Sequence, residues 1–213
     1  MARARILLAD DHTMMADALR HLLQEEFDVV GTVGDGRALL AAAAELEPDL
    51  VVVDIAMPLL NGLDAWEQLK TTQPGVKVIF LTQHRDPQYA AEAFRRKASG
   101  YLLKDSAASE LIVAIREALK GHWYVSPSIA KEVLDEVLHP QPQDLKLRGL
   151  SAREREVLQL LAEGKSMKEV AAVLDISPRT VEFHKYRIMD LLGIKTTAEL
   201  VQYAIRHGLI SPF

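Results

Sequence analysis

A chain of 213 residues with 49% apolar content has room for one large domain or two small ones with packed cores. It contains no cysteine, which excludes a disulfide framework, a thiolate metal site and a cysteine nucleophile, and which suits a reducing cytosol. The net charge of −5 hides an asymmetry: residues 1–139 carry 14 basic against 21 acidic side chains, and residues 140–213 carry 11 against 9. The acidic part suits a divalent cation better than nucleic acid. The remainder is only mildly basic, so any case for DNA binding must rest on motif rather than charge. Apolar stretches fall far short of the roughly 20 residues a membrane helix needs. The N-terminus, Met-Ala-Arg-Ala-Arg, enters a strand directly without a signal-peptide run. A cytoplasmic protein with no membrane partner is expected.

In chain order, Ile6–Ala9 runs into Asp10-Asp11, Asp28–Val33 follows, and Leu50–Val53 runs into Asp54. Val78–Leu81 then ends at Thr82, and Tyr101–Leu103 ends at Lys104. Continuous Val/Ile/Leu runs suit strands buried on both faces of a parallel sheet. Between them, amphipathic stretches predict helices over Thr13–Glu25, Asp35–Glu47, Gly62–Thr71, Pro87–Arg96 and Ala107–Lys120. The alternation predicts an α/β doubly wound domain over residues 1–121 with a five-stranded parallel sheet.

The pattern breaks after Gly121. Ser126-Pro127 predicts a short helix reaching about Leu138, with Ser126 as N-cap and Pro127 at the first helical position. A polar, Pro-containing tether from His139 to Gly149 completes a linker over residues 122–148. Beyond it every signal is helical. Ser151-x-x-Glu154, Ser166-x-x-Glu169 and Thr196-x-x-Glu199 fit capping boxes, Ser177-Pro178 opens another helix, and Gly164, Gly193 and Gly208 fall at C-terminal caps. Four helices are predicted near 151–163, 166–174, 177–192 and 197–207, giving a small all-α domain over 149–213.

Open α/β sheets keep their ligands at the carboxyl ends of the strands. There Asp10, Asp11, Asp54, Thr82 and Lys104 would meet. A carboxylate that accepts a phosphoryl group needs a divalent cation, a fixed positive charge and hydrogen-bond donors for the phosphoryl oxygens. Asp10, Asp11 and Asp54 can supply an all-oxygen Mg²⁺ site, Lys104 the fixed charge and Thr82 the hydroxyl. Together with Met57-Pro58-Leu59-Leu60-Asn61-Gly62 and Ala98-Ser99-Gly100-Tyr101-Leu102-Leu103-Lys104, these residues resemble the receiver domain of bacterial response regulators over about residues 4–120. The resemblance implies a flavodoxin-like fold and Asp54 as phosphoacceptor. It further implies Mg²⁺ on Asp11, Asp54 and the Ala56 carbonyl, with Asp10 acting through water. Thr82 and Lys104 would bind phosphoryl oxygens, and Thr82 and Tyr101 would form the switch. Ala56 and His84 would tune loss of the phosphoryl group. Asp105 stands after Lys104 where many receivers carry proline, so the sequence leaves a cis or a trans peptide open there.

Residues 150–210 include Gly164-Lys165-Ser166-x-Lys168-Glu169-Val170-Ala171 and Ser177-x-Arg179-Thr180-Val181-Glu182-x-His184, and resemble the LuxR-type helix-turn-helix. Helical spacing gathers Val181, His184, Ile188, Leu191 and Leu192 on one core stripe, with His184 read as a packed histidine. The opposite face predicts Arg179, Glu182, Phe183 and Tyr186 as base readers in the major groove. Ser177, Thr180, Lys185 and Arg187 would meet phosphates, as would Lys165, Ser166 and Lys168 at the preceding helix start. Both halves together resemble the NarL/FixJ family of two-component response regulators. That implies a transcription regulator, not an enzyme, with a sensor histidine kinase, double-stranded DNA with paired half-sites, RNA polymerase and a second copy of the chain as partners. The family's unphosphorylated receivers often cover the recognition helix. An enzymatic alternative, a phosphohydrolase using Asp54, lacks a general acid two residues on, where Ala56 stands.

Overall fold

The apolar runs pair as parallel strands β1 (Arg5–Ala9), β2 (Asp28–Val33), β3 (Leu50–Val53), β4 (Lys77–Thr82) and β5 (Gly100–Leu103) in a computed structural model. It describes residues 3–83, 85–105, 108–139 and 149–210; His84 and residues 140–148 of the tether lie outside them. The sheet has six strands rather than five, in the order β2-β1-β3-β4-β5-β6. The sixth, β6 (Tyr124–Val125), pairs with Gly100 and Tyr101. Every residue of β3 and β5 is buried, as apolar runs covered on both faces require. Register aligns Ala9 with Val53, Val53 with Phe80 and Thr82 with Leu103. The residues that follow β1, β3 and β5 therefore emerge along one edge.

Five helices cover the sheet: α1 (Thr13–Leu23), α2 (Gly36–Leu46), α3 (Gly62–Thr72), α4 (Pro87–Arg95) and α5 (Ala108–Leu119). The α3 start is the one that shapes the site. Asn61 caps it by accepting from Asp64 N, and Gly62 lies so close to the β3 end that a Cβ there would stand 2.2 Å from the Asp54 carbonyl oxygen.

The linker helix α6 begins later than expected, spanning Ala130–Leu138 after Ile129. Ser126 is not its cap. It is fully buried, donates through Oγ to Glu110 and accepts from the Leu103 N–H, while its own N–H donates to the Tyr101 carbonyl. A cap-like Ser-Pro pair is thus drawn into the sheet by the better-buried bonds on offer. Ile129 and Val133 pack into the same apolar cluster as Ala90, Ala93 and Tyr101, which fixes α6 on α4.

A separate core is built by α7 (Ala152–Ala162), α8 (Met167–Leu174), α9 (Pro178–Leu192) and α10 (Thr197–Arg206) around Val157, Leu161, Val170, Val181, Ile188 and Leu200. Both the Ser151–Glu154 and Ser166–Glu169 capping boxes form. The third is only half made: Thr196 accepts from Glu199 N, but the Glu199 carboxylate accepts from Lys195 N instead of the cap residue. On α9, Val181, Ile188 and Leu192 are buried as expected, whereas Leu191 is 38% exposed because the stripe is narrower than the spacing suggests.

Candidate functional sites

At the sheet edge the Lys104 ammonium donates to Asp54 at 2.6 Å and to Asp10 at 2.9 Å, with its side chain almost wholly buried. Burial alone pulls the Lys104 pKa down, but the neighbouring charges of Asp54 and Asp10, with their hydrogen bonds, outweigh it and hold the value above that of an ordinary lysine. The amine is therefore a permanent cation. Asp54 is buried, and its carboxylate also accepts from Ala56 N at 3.4 Å. Asp10, Asp11, His12 and Asp54 place ligand atoms within 4.8 Å of one another. Three carboxylates at that spacing form a hard-oxygen donor set that fits Mg²⁺.

His12 went unnoticed in the sequence. Its Nδ1 lies 2.9 Å from Asp11 Oδ1 and 3.2 Å from Asp10 Oδ1, and its N–H donates to Asp10. Only the adjacency Asp-Asp-His could have signalled it. Thr82, fully buried, ends the neighbouring strand, and its carbonyl accepts from Lys104 N. Tyr101 sits in the apolar cluster rather than at the edge; burial first, then the negative charge of Tyr89, Asp86 and Asp54, pushes its phenol well above the ordinary range. The Lys104-Asp105 peptide is trans, and Asp105 pairs with Arg85 at the surface.

In the helical domain, Arg179, Glu182, Phe183 and Tyr186 all lie on the open face of α9, with Phe183 61% and Tyr186 63% exposed. This corrects the expectation of a covered recognition helix: that face of α9 is open, and α7 bonds to the α/β domain through Arg155, Glu156 and Gln159. Several expected phosphate contacts already hold partners inside the domain. Arg187 pairs with Glu154 at 3.1 Å, Lys185 donates to Thr197 at 3.2 Å, and Ser177 caps α9 beside Thr180. Ser166 caps α8, Lys165 is half-buried near Glu163, and Lys168 is exposed.

An acidic, lysine-bearing edge on a doubly wound sheet, joined to a helix-turn-helix with an open second helix, defines a signal-receiving domain coupled to a DNA-binding one. Residues 6–116 match the response regulator receiver domain family, and residues 148–204 match the luxR family of bacterial regulatory proteins. Relatives include response regulator GacA of Pseudomonas aeruginosa, 32% identical over 208 residues with 97% of each chain covered. Oxygen regulatory protein NreC of Staphylococcus carnosus is 34% identical, with 97% of this chain and 99% of that one covered. Among solved structures, the RcsB response regulator of Salmonella typhimurium superimposes with a TM-score of 0.66 at 27% identity, covering 95% and 97% of the two chains. An RcsB–DNA complex does so at 0.61 and 26%, over 94% and 97%. The chain belongs to the NarL/FixJ family of two-component response regulators. It is a DNA-binding transcription regulator.

Proposed function

We propose that Asp54 is the phosphoacceptor through which a sensor histidine kinase controls DNA binding by residues 149–213. The observation that carries this reading is the buried Asp54 carboxylate, 2.6 Å from a lysine held permanently charged and beside two further aspartates. An Asp54 oxygen attacks the phosphorus of the donor phosphohistidine, the P–N bond breaks, and the leaving imidazole nitrogen keeps the electron pair. Lys104 stays with the acceptor and pairs with the phosphoryl oxygens, as does the Thr82 hydroxyl. Asp11, Asp54 and the Ala56 carbonyl would hold Mg²⁺, with Asp10 through water; the ion, when bound, neutralises the crowded oxygens and orients the donor. Thr82 and Tyr101 form the switch: phosphate favours one of two packings of the cluster that Tyr101 shares with α6.

The same reading divides the chain at residues 121 and 148, assigns the α9 surface to the major groove, and pairs two copies on half-sites. RcsB supports the pairing, since its dimers are described bound to DNA. Arg179, Glu182, Phe183 and Tyr186 read bases; Lys165, Ser166, Lys168, Ser177, Thr180, Lys185 and Arg187 position the backbone, for Arg187 by exchanging Glu154 for a phosphate. RNA polymerase is the downstream partner and the cytoplasm the location. Acetyl phosphate with Mg²⁺ should convert the chain to a hydroxylamine-labile acyl phosphate, read by phosphate-affinity electrophoresis. Asp54→Ala should remove the shifted band, and Lys104→Ala should slow its appearance about a hundredfold. A band of undiminished intensity in Asp54→Ala would refute the assignment.

A further inference from the structure

The segment joining Asp54 to α3 is gripped by the other domain. Gln159 of α7 is fully buried: its Nε2 donates to the Met57 carbonyl at 2.8 Å, and its Oε1 accepts from the Asn61 N–H at 2.8 Å and from Asn61 Nδ2 at 3.1 Å. Glu163, one turn on, accepts from the Leu59 N–H at 2.9 Å. Leu59 sits between these bonds with φ +65°, in the left-handed region a leucine rarely enters, and its side chain packs against the apolar core of the helical domain. A backbone strained in this way persists only where its surroundings hold it. Part of that hold is local, from the Leu60 N–H on the Pro58 carbonyl and the Gly62 N–H on the Ile55 carbonyl, and the rest comes from Gln159 and Glu163 of the helical domain. Farther from the acceptor, Arg155 donates to Asp64 at 2.8 Å and Arg37 to Glu156 at 2.9 Å.

Resting on the assignment of Asp54 as phosphoacceptor, we propose that Leu59 and Gln159 form a latch, in which the phosphoacceptor loop itself is the docking element for the DNA-binding domain. Met57, whose carbonyl Gln159 holds, directly follows Ala56, the residue assigned to the metal. Any rearrangement of this loop on phosphorylation thus acts on the domain contact without an intermediary. Gln159 is a positioning residue for the acceptor loop, contributed by the second domain. The latched state leaves the α9 face open, so restraint acts on the placement of the domain. Gly208, just after α10, lies against Tyr89 of α4 so closely that a Cβ there would meet its Oη at 2.5 Å, so the α/β domain also occupies that end of α10. Coupling of this kind is reciprocal: whatever releases the latch favours phosphorylation and DNA binding together.

The test uses the full chain with Gln159→Ala, Gln159→Glu and Leu59→Ala, which keeps a Cβ at positive φ and removes only the packing, so that one variant acts from each domain and one keeps the acceptor oxygen. Acetyl phosphate at a fixed concentration with Mg²⁺ measures the fraction of chain held as acyl phosphate. A duplex selected from random sequences by phosphorylated wild type measures affinity without donor. Gln159→Ala and Leu59→Ala should each raise the phosphorylated fraction and tighten donor-free DNA binding by about fivefold or more. Gln159→Glu, which can accept from Asn61 but cannot donate to Met57, should fall between them and wild type. Variants that match wild type in both measurements, while wild type is phosphorylated normally, would overturn the latch. A wild type that takes no phosphoryl group would instead overturn the assignment of Asp54.

Discussion

Glu154 shows how one side chain serves several neighbours at once. Its carboxylate, 1% exposed, accepts from the Ser151 N–H at 2.7 Å and hydroxyl at 2.8 Å and faces Arg187 at 3.1 Å. Burial works to raise its pKa, but the two Ser151 bonds and the charges of Arg187 and His184 prevail and lower it. A carboxyl with a depressed folded pKa contributes stability that is complete above its unfolded value and is lost as pH falls toward the folded one. The helical domain should therefore lose stability progressively below about pH 4.3. Glu154→Gln should flatten that acid slope in urea titrations and cost about 1 kcal/mol at neutral pH. The Ser-x-x-Glu spacing made the cap legible in the sequence. The pairing with Arg187 was not, because it depends on how α9 crosses α7. The same holds for Leu191, where spacing gave the face but not its width.

At the scale of elements, most boundaries could be read because burial leaves a periodic trace: the strand runs and all four distal helices fall within a residue or two of expectation. What could not be read lies where a segment is too short to carry a period. Tyr124-Val125 is a two-residue strand, and Ser126-Pro127 matched a helix start until the sheet claimed the serine hydroxyl. The DNA-reading elements make a separable prediction. Lys168, exposed and near the start of α8, should act on phosphate alone. Lys168→Ala should weaken binding uniformly across single-base operator variants and reduce the slope of log affinity against log salt by about 1. Glu182→Ala should instead change the preference at one base pair, by roughly 1–3 kcal/mol if a cytosine amine is its partner. Unchanged preference at every position would remove Glu182 from the set of base readers.

For the whole molecule, the acidic edge was legible because each of its residues ends a strand run. The domain contact was hidden because Arg155, Glu156, Gln159 and Glu163 look like an ordinary solvated helix face until a second domain covers them. Arg155→Ala leaves Asp64 its bond to Arg96 at 3.0 Å, so no charge is orphaned and the receiver should stay folded. Its effect should fall on domain separation: scattering from the full chain should give a larger radius of gyration, approaching that of wild type treated with Mg²⁺ and beryllium fluoride. Since α6 is fastened to α4, only residues 140–148 separate the fastened part from the helical domain. Nine residues reach no farther than about 35 Å at full extension. The released domain would still see its dock at an effective concentration of order millimolar. Re-docking is then an intramolecular event that a weak contact can win. A loss of a few hydrogen bonds is enough to reverse it, and dilution of the protein should leave that balance unmoved.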